Sequence, residues 1–363
     1  MLRIDMLPAA QGDALWIEYG DAGKPKRILI DGGTSSSWPE GLRMRIETLP
    51  KGERHFELLI VTHIDADHID GALELLRDET LGVSFGDVWF NGWRHLPDTP
   101  LESLGPVEGE QLTDTLVAQG IPWNEAFAGR AVGVNADGNL PSHKLDDETT
   151  LTVLSPSARE LAKLKPVWRE VVEAAGLDPD KPRQPPEAEE PLAPGLERLG
   201  PELLPDVAVL AAKPFKRDNA EANGSSVVVL IEHEDKRAVL CADAFPAVVR
   251  TSIKRLVAER GAERLAVDAF KLPHHGSQFN VSIDLLAELD CLRYLFSTNG
   301  ARTRHPHPEA VARVLVADQG ERTLFFNYKT RFNEVWDKEE VRTANNYETR
   351  YPDAGAVGLV VDL

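Results

Sequence analysis

Short apolar runs alternate with polar turns along this chain, and their spacing predicts a mixed α/β fold rich in strands. Residues 14–19 (ALWIEY) and 27–30 (RILI) flank the polar stretch 20–26, the pattern of a hairpin. Residues 42–49 read as a short helix. Residues 57–62 (ELLIVT) are almost continuously apolar, as expected of a strand covered on both faces, and an amphipathic helix over 72–77 follows. Residues 88–91 and 149–154 read as strands and 157–176 as helix. The second half repeats the theme, with strands at 226–232, 238–241, 267–272, 294–297, 323–327 and 358–361. Helices at 247–260, 283–289 and 309–318 separate them. No short tandem repeat is visible.

Composition sharpens this reading in three places. The stretch 178–205 is rich in proline and glutamate, so it is expected to be a surface loop. Strands resume after it, which points to one domain over 1–363 with an insertion at about 97–205. The net charge is −19 over 363 residues. This argues against a broad electropositive face but leaves room for a local basic cleft. Neither a basic leader with an apolar stretch nor a run of about 18 apolar residues occurs, so a cytoplasmic protein with no membrane partner is expected. In that setting Cys241 and Cys291, both in apolar stretches, read as buried thiols.

The densest chemistry is His63-x-Asp65-x-Asp67-His68, which directly follows the buried strand at 57–62. In an extended loop the alternation turns His63 and Asp65 the same way, while Asp67 and His68 enter the helix. A helix cap explains one aspartate, but not two aspartates and two histidines. Imidazole and carboxylate together suit Zn²⁺, Mn²⁺ or Fe²⁺. Further on stand His274-His275 and His305-Pro306-His307, both after apolar strands. Arg302 and Arg304, with Lys213, Lys216 and Arg217, suit phosphate oxygens.

The segment from Thr62 to His68 resembles the HxHxDH signature of the metallo-β-lactamase superfamily, with Asp65 in place of its second histidine. In this it is similar to the metallo-β-lactamase-type domain of the DNA-uptake competence protein ComEC and its soluble relatives. Gln11-Gly12-Asp13-Ala14, the Asp31-Gly32-Gly33 strand end, Asn223-Gly224-Ser225-Ser226, Asp243, Pro273-His274-His275-Gly276-Ser277 and His305-Pro306-His307-Pro308 resemble further segments of that family in the same order. The likeness runs over about residues 10–330, with the middle insertion unmatched.

The resemblance implies a four-layer αββα sandwich and two divalent metal ions, zinc or manganese, bridged by Asp243. One ion would take His63, Asp65 and Asp243. The other would take Asp67, His68, Asp243 and one of the histidine pair, His275 rather than His274, leaving His274 to position groups or donate a proton. The Asn223, Ser225 and Ser226 element replaces a third histidine, which tilts the first site towards manganese. Asp31 is expected to orient the ligand loop through hydrogen bonds. His305 and His307 would complete a metal shell, protonate a leaving group or bind phosphate. Arg302 and Arg304 would contact substrate. Hydrolysis by a metal-activated hydroxide follows, with Asp67, His274, His305 and His307 as catalytic candidates. The resemblance implies a nuclease or phosphodiesterase, and nucleic acid leads as substrate. A small or lipid-headgroup phosphodiester, favoured by the acidic charge, is the alternative, followed by a non-catalytic protein that binds a partner.

Overall fold

The protein is described here by a computed structural model covering residues 1–97, 107–174, 204–317 and 320–363. The strands, in chain order, are β1 Leu2–Met6, β2 Leu15–Tyr19, β3 Lys26–Ile30, β4 His55–Ile60, β5 Ser84–Trp89, β6 Ser142–Lys144, β7 Thr149–Ser155 and β8 Val228–His233. They continue as β9 Lys236–Leu240, β10 Leu265–Ala266, β11 Ala269–Lys271, β12 Leu289–Asp290, β13 Arg293–Phe296, β14 Arg322–Phe326, β15 Tyr347–Arg350 and β16 Leu359–Asp362. Six form one sheet in the order β16-β1-β2-β3-β4-β5. Eight form a second, in the order β15-β14-β13-β11-β9-β8-β7-β6, and β10 pairs with β12 alone.

Side chains that alternate along each strand divide between two cores, the period of two that a pleated backbone imposes. Ile17 and Leu58 of the first sheet face Val229, Ile231 and Leu295 of the second. Their neighbours Trp16 and Leu59 point the other way, onto Leu42, Ile69, Leu73 and Trp168. On the far side of the second sheet, Leu230, Val239 and Phe270 pack on Val249, Ile253, Leu285 and Val311. The result is a four-layer αββα sandwich, the architecture the sequence resemblance implies.

The parallel strand pairs decide where chemistry collects. β3 pairs in parallel with β4, and β9, β11 and β13 pair in parallel with one another. The loops after these strands therefore leave from one edge of each sheet, where α/β folds place their sites. Backbone hydrogen bonds join the two edges: Val227 N–H donates to Thr62 C=O at 3.0 Å and Asn299 N–H to Ala10 C=O at 2.8 Å.

Several elements differ from the sequence reading. The helix expected at 72–77 is Ala66–Arg77, so Asp67 and His68 lie in its first turn and Asp65 is its N-cap. Strands β1 and β15 and the helix Val107–Gln119 have no counterpart in the apolar runs. Within 97–205, β6 and β7 belong to the second sheet. Most of the proline- and glutamate-rich loop, 178–203, lies outside the described residues. Cys241 and Cys291 are free and buried. Burial pushes the Cys241 thiol far up and the Cys291 thiol up to about 12, so both stay protonated. Among the described residues no helix is long and apolar enough to cross a membrane.

Candidate metal centre

Each candidate ligand sits on a loop held by close backbone contacts. Asp31 follows β3 with a left-handed φ of 59°, a conformation aspartate adopts more readily than most residues. It is followed by Gly32, whose added Cβ would lie 2.0 Å from the backbone N of Ala72. That approach lays the β3 loop against the helix carrying Asp67 and His68. Gly12 is equally constrained, since its Cβ would overlap the carbonyl oxygen of Asp67. On the other sheet, His274 and His275 both take left-handed backbone angles, with φ of 48° and 54°. Histidine pays for that conformation with strain, a cost that collects at functional sites.

The hydrogen-bond network assigns where the ring protons sit. Asp31 accepts from Thr62 N–H, Thr62 O–H and His68 Nδ1, each at 2.8 Å. Because the Thr62 hydroxyl proton is spent on Asp31, His63 Nδ1 must donate to Thr62 Oγ1, at 3.0 Å. His275 Nδ1 donates to the Ser297 carbonyl at 2.8 Å. Asn280 donates through Nδ2 to Asp218 and to the Asp243 carbonyl, so its Oδ1 accepts from His274 Nδ1 at 3.0 Å. All four rings therefore carry a proton on Nδ1 and leave Nε2 for something else.

Those four Nε2 atoms face carboxylates. His68 and His275 approach Asp243 Oδ1 at 3.4 and 3.5 Å, and His274 approaches Asp243 Oδ2 at 3.6 Å. His275 Nε2 lies 3.6 Å from Asp67 Oδ2, and His63 Nε2 lies 3.6 Å from Asp65 Oδ2. Nε2 of His63, His68 and His275, together with Asp243 Oδ1, is buried without a hydrogen-bond partner. Buried atoms of this kind are costly unless a cation sits among them. Ligand atoms of Asp13, His68, Asp243 and His275 all lie within 4.8 Å of one another. The donor set and its orphaned atoms fit divalent metal ions.

The surrounding carboxylates bias these rings towards positive charge. Burial alone would depress His275, but Asp243 and Asp13 push it up to about 9, and Asp243 with Asp31 raises His68 in the same way. His274 rises under the influence of Asp243 and Asp218. Burial works to raise Asp243, yet His275, His274 and His68 hold it well below the usual carboxylate range. Asp67, against His275 and His68, is likewise lowered.

The remaining candidates ring this core. His305 is buried, its ring centroid 5.1 Å from that of His274 and its Nδ1 without a partner. Burial and the neighbouring histidines hold it at about 2, so it is neutral at neutral pH. His307 Nδ1 accepts from the Gln278 N–H at 3.1 Å, which places its proton on Nε2. Arg302 and Arg304 are exposed on the same loop without a carboxylate partner among the described residues. Asn223 donates to Asp218 at 2.7 Å and stands 3.3 Å from His274 Nδ1. Ser225 bonds the Ala222 carbonyl, and Ser226 Oγ is buried with no partner.

Both rings of the histidine pair turn Nε2 onto Asp243, but His275 is the more buried and belongs to the ligand-distance cluster, whereas His274 does not. Four residues outside the candidate set take part: Asp13, Lys271, Asp218 and Asn280. Of these, only Asp13 and Lys271 stood near a recognisable segment, on the Q-G-D-A turn and just before Pro273-His274-His275.

The chain matches no protein-family model and no curated protein. Among solved structures it is similar to human tRNase Z, short form, at 9% identity and a TM-score of 0.44, covering 100% of this chain and 99% of that one. It is similar to Zn²⁺-bound PqqB from Methylobacterium extorquens at 12% identity and a TM-score of 0.44, over 100% of both chains. The metallo-β-lactamase fold protein YhfI from Bacillus subtilis is similar at 9% identity and a TM-score of 0.41, also over 100% of both. At these values the likenesses do not bear on activity, and the architecture rests on the layers and registers of the chain itself.

Proposed function

We propose that this chain is a metal-dependent phosphodiesterase of the metallo-β-lactamase superfamily, with nucleic acid as its leading substrate. One observation carries the reading: four histidines have their Nδ1 protons committed elsewhere and turn Nε2 onto Asp243 or Asp65. His68, His275, Asp67 and Asp243 would hold one divalent ion, zinc or manganese. His63, Asp65, His274 and the second oxygen of Asp243 would hold the other. Such a pair supplies a hydroxide at neutral pH and polarises the phosphoryl oxygen.

The chain's own residues supply the rest. His307 carries its only ring proton on Nε2 and, held neutral by burial, can donate a hydrogen bond to a substrate oxygen. His305, held neutral, can line the site without adding charge. Arg302, Arg304, Lys216 and Arg217 are exposed without carboxylate partners among the described residues, which suits them to phosphate oxygens. The net charge of −19 supports a second reading, a small phosphodiester substrate.

The test measures metal content and then hydrolysis with Zn²⁺, Mn²⁺ and Mg²⁺. Substrates are single- and double-stranded nucleic acids and bis-p-nitrophenyl phosphate, with an Asp67→Ala/His68→Ala variant as control. Polymer cleavage by the wild type alone is expected. Turnover of the ester alone would move the assignment to small phosphodiesters. Bound metal with no turnover of either would sink the hydrolase reading and leave a partner-binding role.

A further inference from the structure

We propose that Asp13 and Lys271 form a buried positioning pair that aims His275 at the metal centre from behind. The inference rests on reading this site as a metal centre. Asp13 is 1% exposed and Lys271 0%, so neither charge is solvated and each needs the other. The Lys271 ammonium donates to Asp13 Oδ2 and, at 3.3 Å, to the Ala242 carbonyl.

The remaining oxygen, Asp13 Oδ1, has no hydrogen bond of its own and lies 3.4 Å from His275 Nδ1. That end of the ring donates its proton to Ser297, and the Asp13 charge beside it favours a proton there. A flipped ring or the other tautomer would lose the Ser297 bond, and Nε2 stays turned on Asp243 and Asp67. Asp13 therefore stands behind a ligand rather than among the ligands, although its carboxylate lies within ligand distance of the cluster. Lys271 takes Asp13 Oδ2 and leaves Oδ1 beside His275 Nδ1.

The pair also fixes the loops around it. Ala242, at a left-handed φ of 44°, precedes Asp243, and its carbonyl accepts from His274 N–H at 2.8 Å as well as from Lys271. Asp13 N–H lies 3.3 Å from the Asp67 carbonyl, and the Asp13 carbonyl accepts from Gly33 N–H at 2.8 Å. One buried pair thus touches the loops of Asp31, Asp67, Asp243 and His275.

The experiment uses full-length protein and chelator-competition titration with Zn²⁺, with the visible spectrum of the Co²⁺-loaded form as a second readout. Asp13→Asn/Lys271→Met removes both charges together and avoids an unpaired buried ion. It is expected to weaken one of the two sites by about 10–100-fold and leave the other within twofold. It should also alter the Co²⁺ spectrum of the weakened site alone. Unchanged affinities and spectrum in the folded double variant would overturn the positioning role. Should that variant fail to fold, ¹⁵N-histidine spectra of the Zn²⁺-loaded wild type decide. His275 is expected to keep its proton on Nδ1 and bind metal through Nε2, and metal on Nδ1 would overturn the proposal. Wild type that binds no metal defeats the underlying site reading; wild type and double variant binding alike defeats only this inference.

Discussion

The two oxygens of Asp243 look out on unlike halves of one site. Around Oδ1, the side chains of His68 and His275 are 0% and 2% exposed. They are braced by a carboxylate and a backbone carbonyl, groups that can only accept. Around Oδ2, the His274 side chain is 23% exposed and leans on an amide; Asp65, beside His63 and proposed for the same ion, is 41% exposed. His63 itself is buried but leans on a hydroxyl. The first half is dry and already has its rings in place, whereas the second is more open to water, its rings hydrogen-bonded to an amide and a hydroxyl with Asp218 beside His274. Preorganised, desolvated ligands lose less on binding, so the two halves should fill unequally, with the Oδ1 side first.

Removing what the halves share should give the largest effect. Asp243→Asn takes the charge from both sides at once and is expected to release both ions. Hydrolysis should then fall on the order of a thousandfold, the rate equivalent of about 4 kcal/mol of lost transition-state stabilisation. Metal analysis of the purified variant checks this, and retention of two equivalents would break the idea of a shared bridge.

A smaller change should separate the halves. Asp31→Asn keeps the side-chain shape, and asparagine tolerates the left-handed backbone of position 31. Its amide nitrogen must nevertheless meet one of the three donors that Asp31 now accepts. The Oδ1 side should lose about 10–100-fold in affinity and the other side much less. A stepwise Zn²⁺ titration reads both, and equal losses would say that the halves are not independent.

Acidity sharpens the comparison further. His275 sits near 9 without metal, and His68 and His274 are also raised. At pH 7 metal uptake must displace these protons, so affinity is expected to fall as pH falls and calorimetry should record proton release. The sign for stability is the reverse. A histidine with a raised folded-state pKa stabilises the metal-free protein fully below about pH 6.5, and that contribution is lost as pH rises through about 9. The depressed carboxylates Asp243 and Asp67 are ionised throughout this window and cancel from it. Metal-free protein should therefore lose a few degrees of Tm between pH 6.5 and 9, and the metal-loaded form should not. A flat profile for the metal-free form would mean that its buried histidines are neutral.

The sequence made the inner elements of this fold legible because burial on both faces leaves unmistakable apolar runs. β4 and β13 are of this kind. β1 was hidden because Arg3 and Asp5 interrupt LRIDM, although Asp5 is buried and paired with Arg45. The ligand cluster from His63 to His68 was legible because four ligand types crowd six positions. Asp13, Lys271, Asp218 and Asn280 were not, since each acts singly and through another residue. Their roles depend on loops from both sheets meeting at one edge, and no local spacing records that. The helix start at Ala66 escaped because Asp65 caps it by position without a side-chain bond.

Asp65 offers the finest division between the halves and the smallest effect. It stands where the resembling signature carries a histidine, and its exposure leaves water free to screen its charge. A carboxylate in that setting contributes about 1 kcal/mol at most. Asp65→Asn should therefore weaken the second ion roughly fivefold and leave the first unchanged. The two-step titration measures this directly. If Asp65→Asn instead weakened the tighter ion, the order of filling inferred from burial would be reversed, and the open half would be the one that holds metal first.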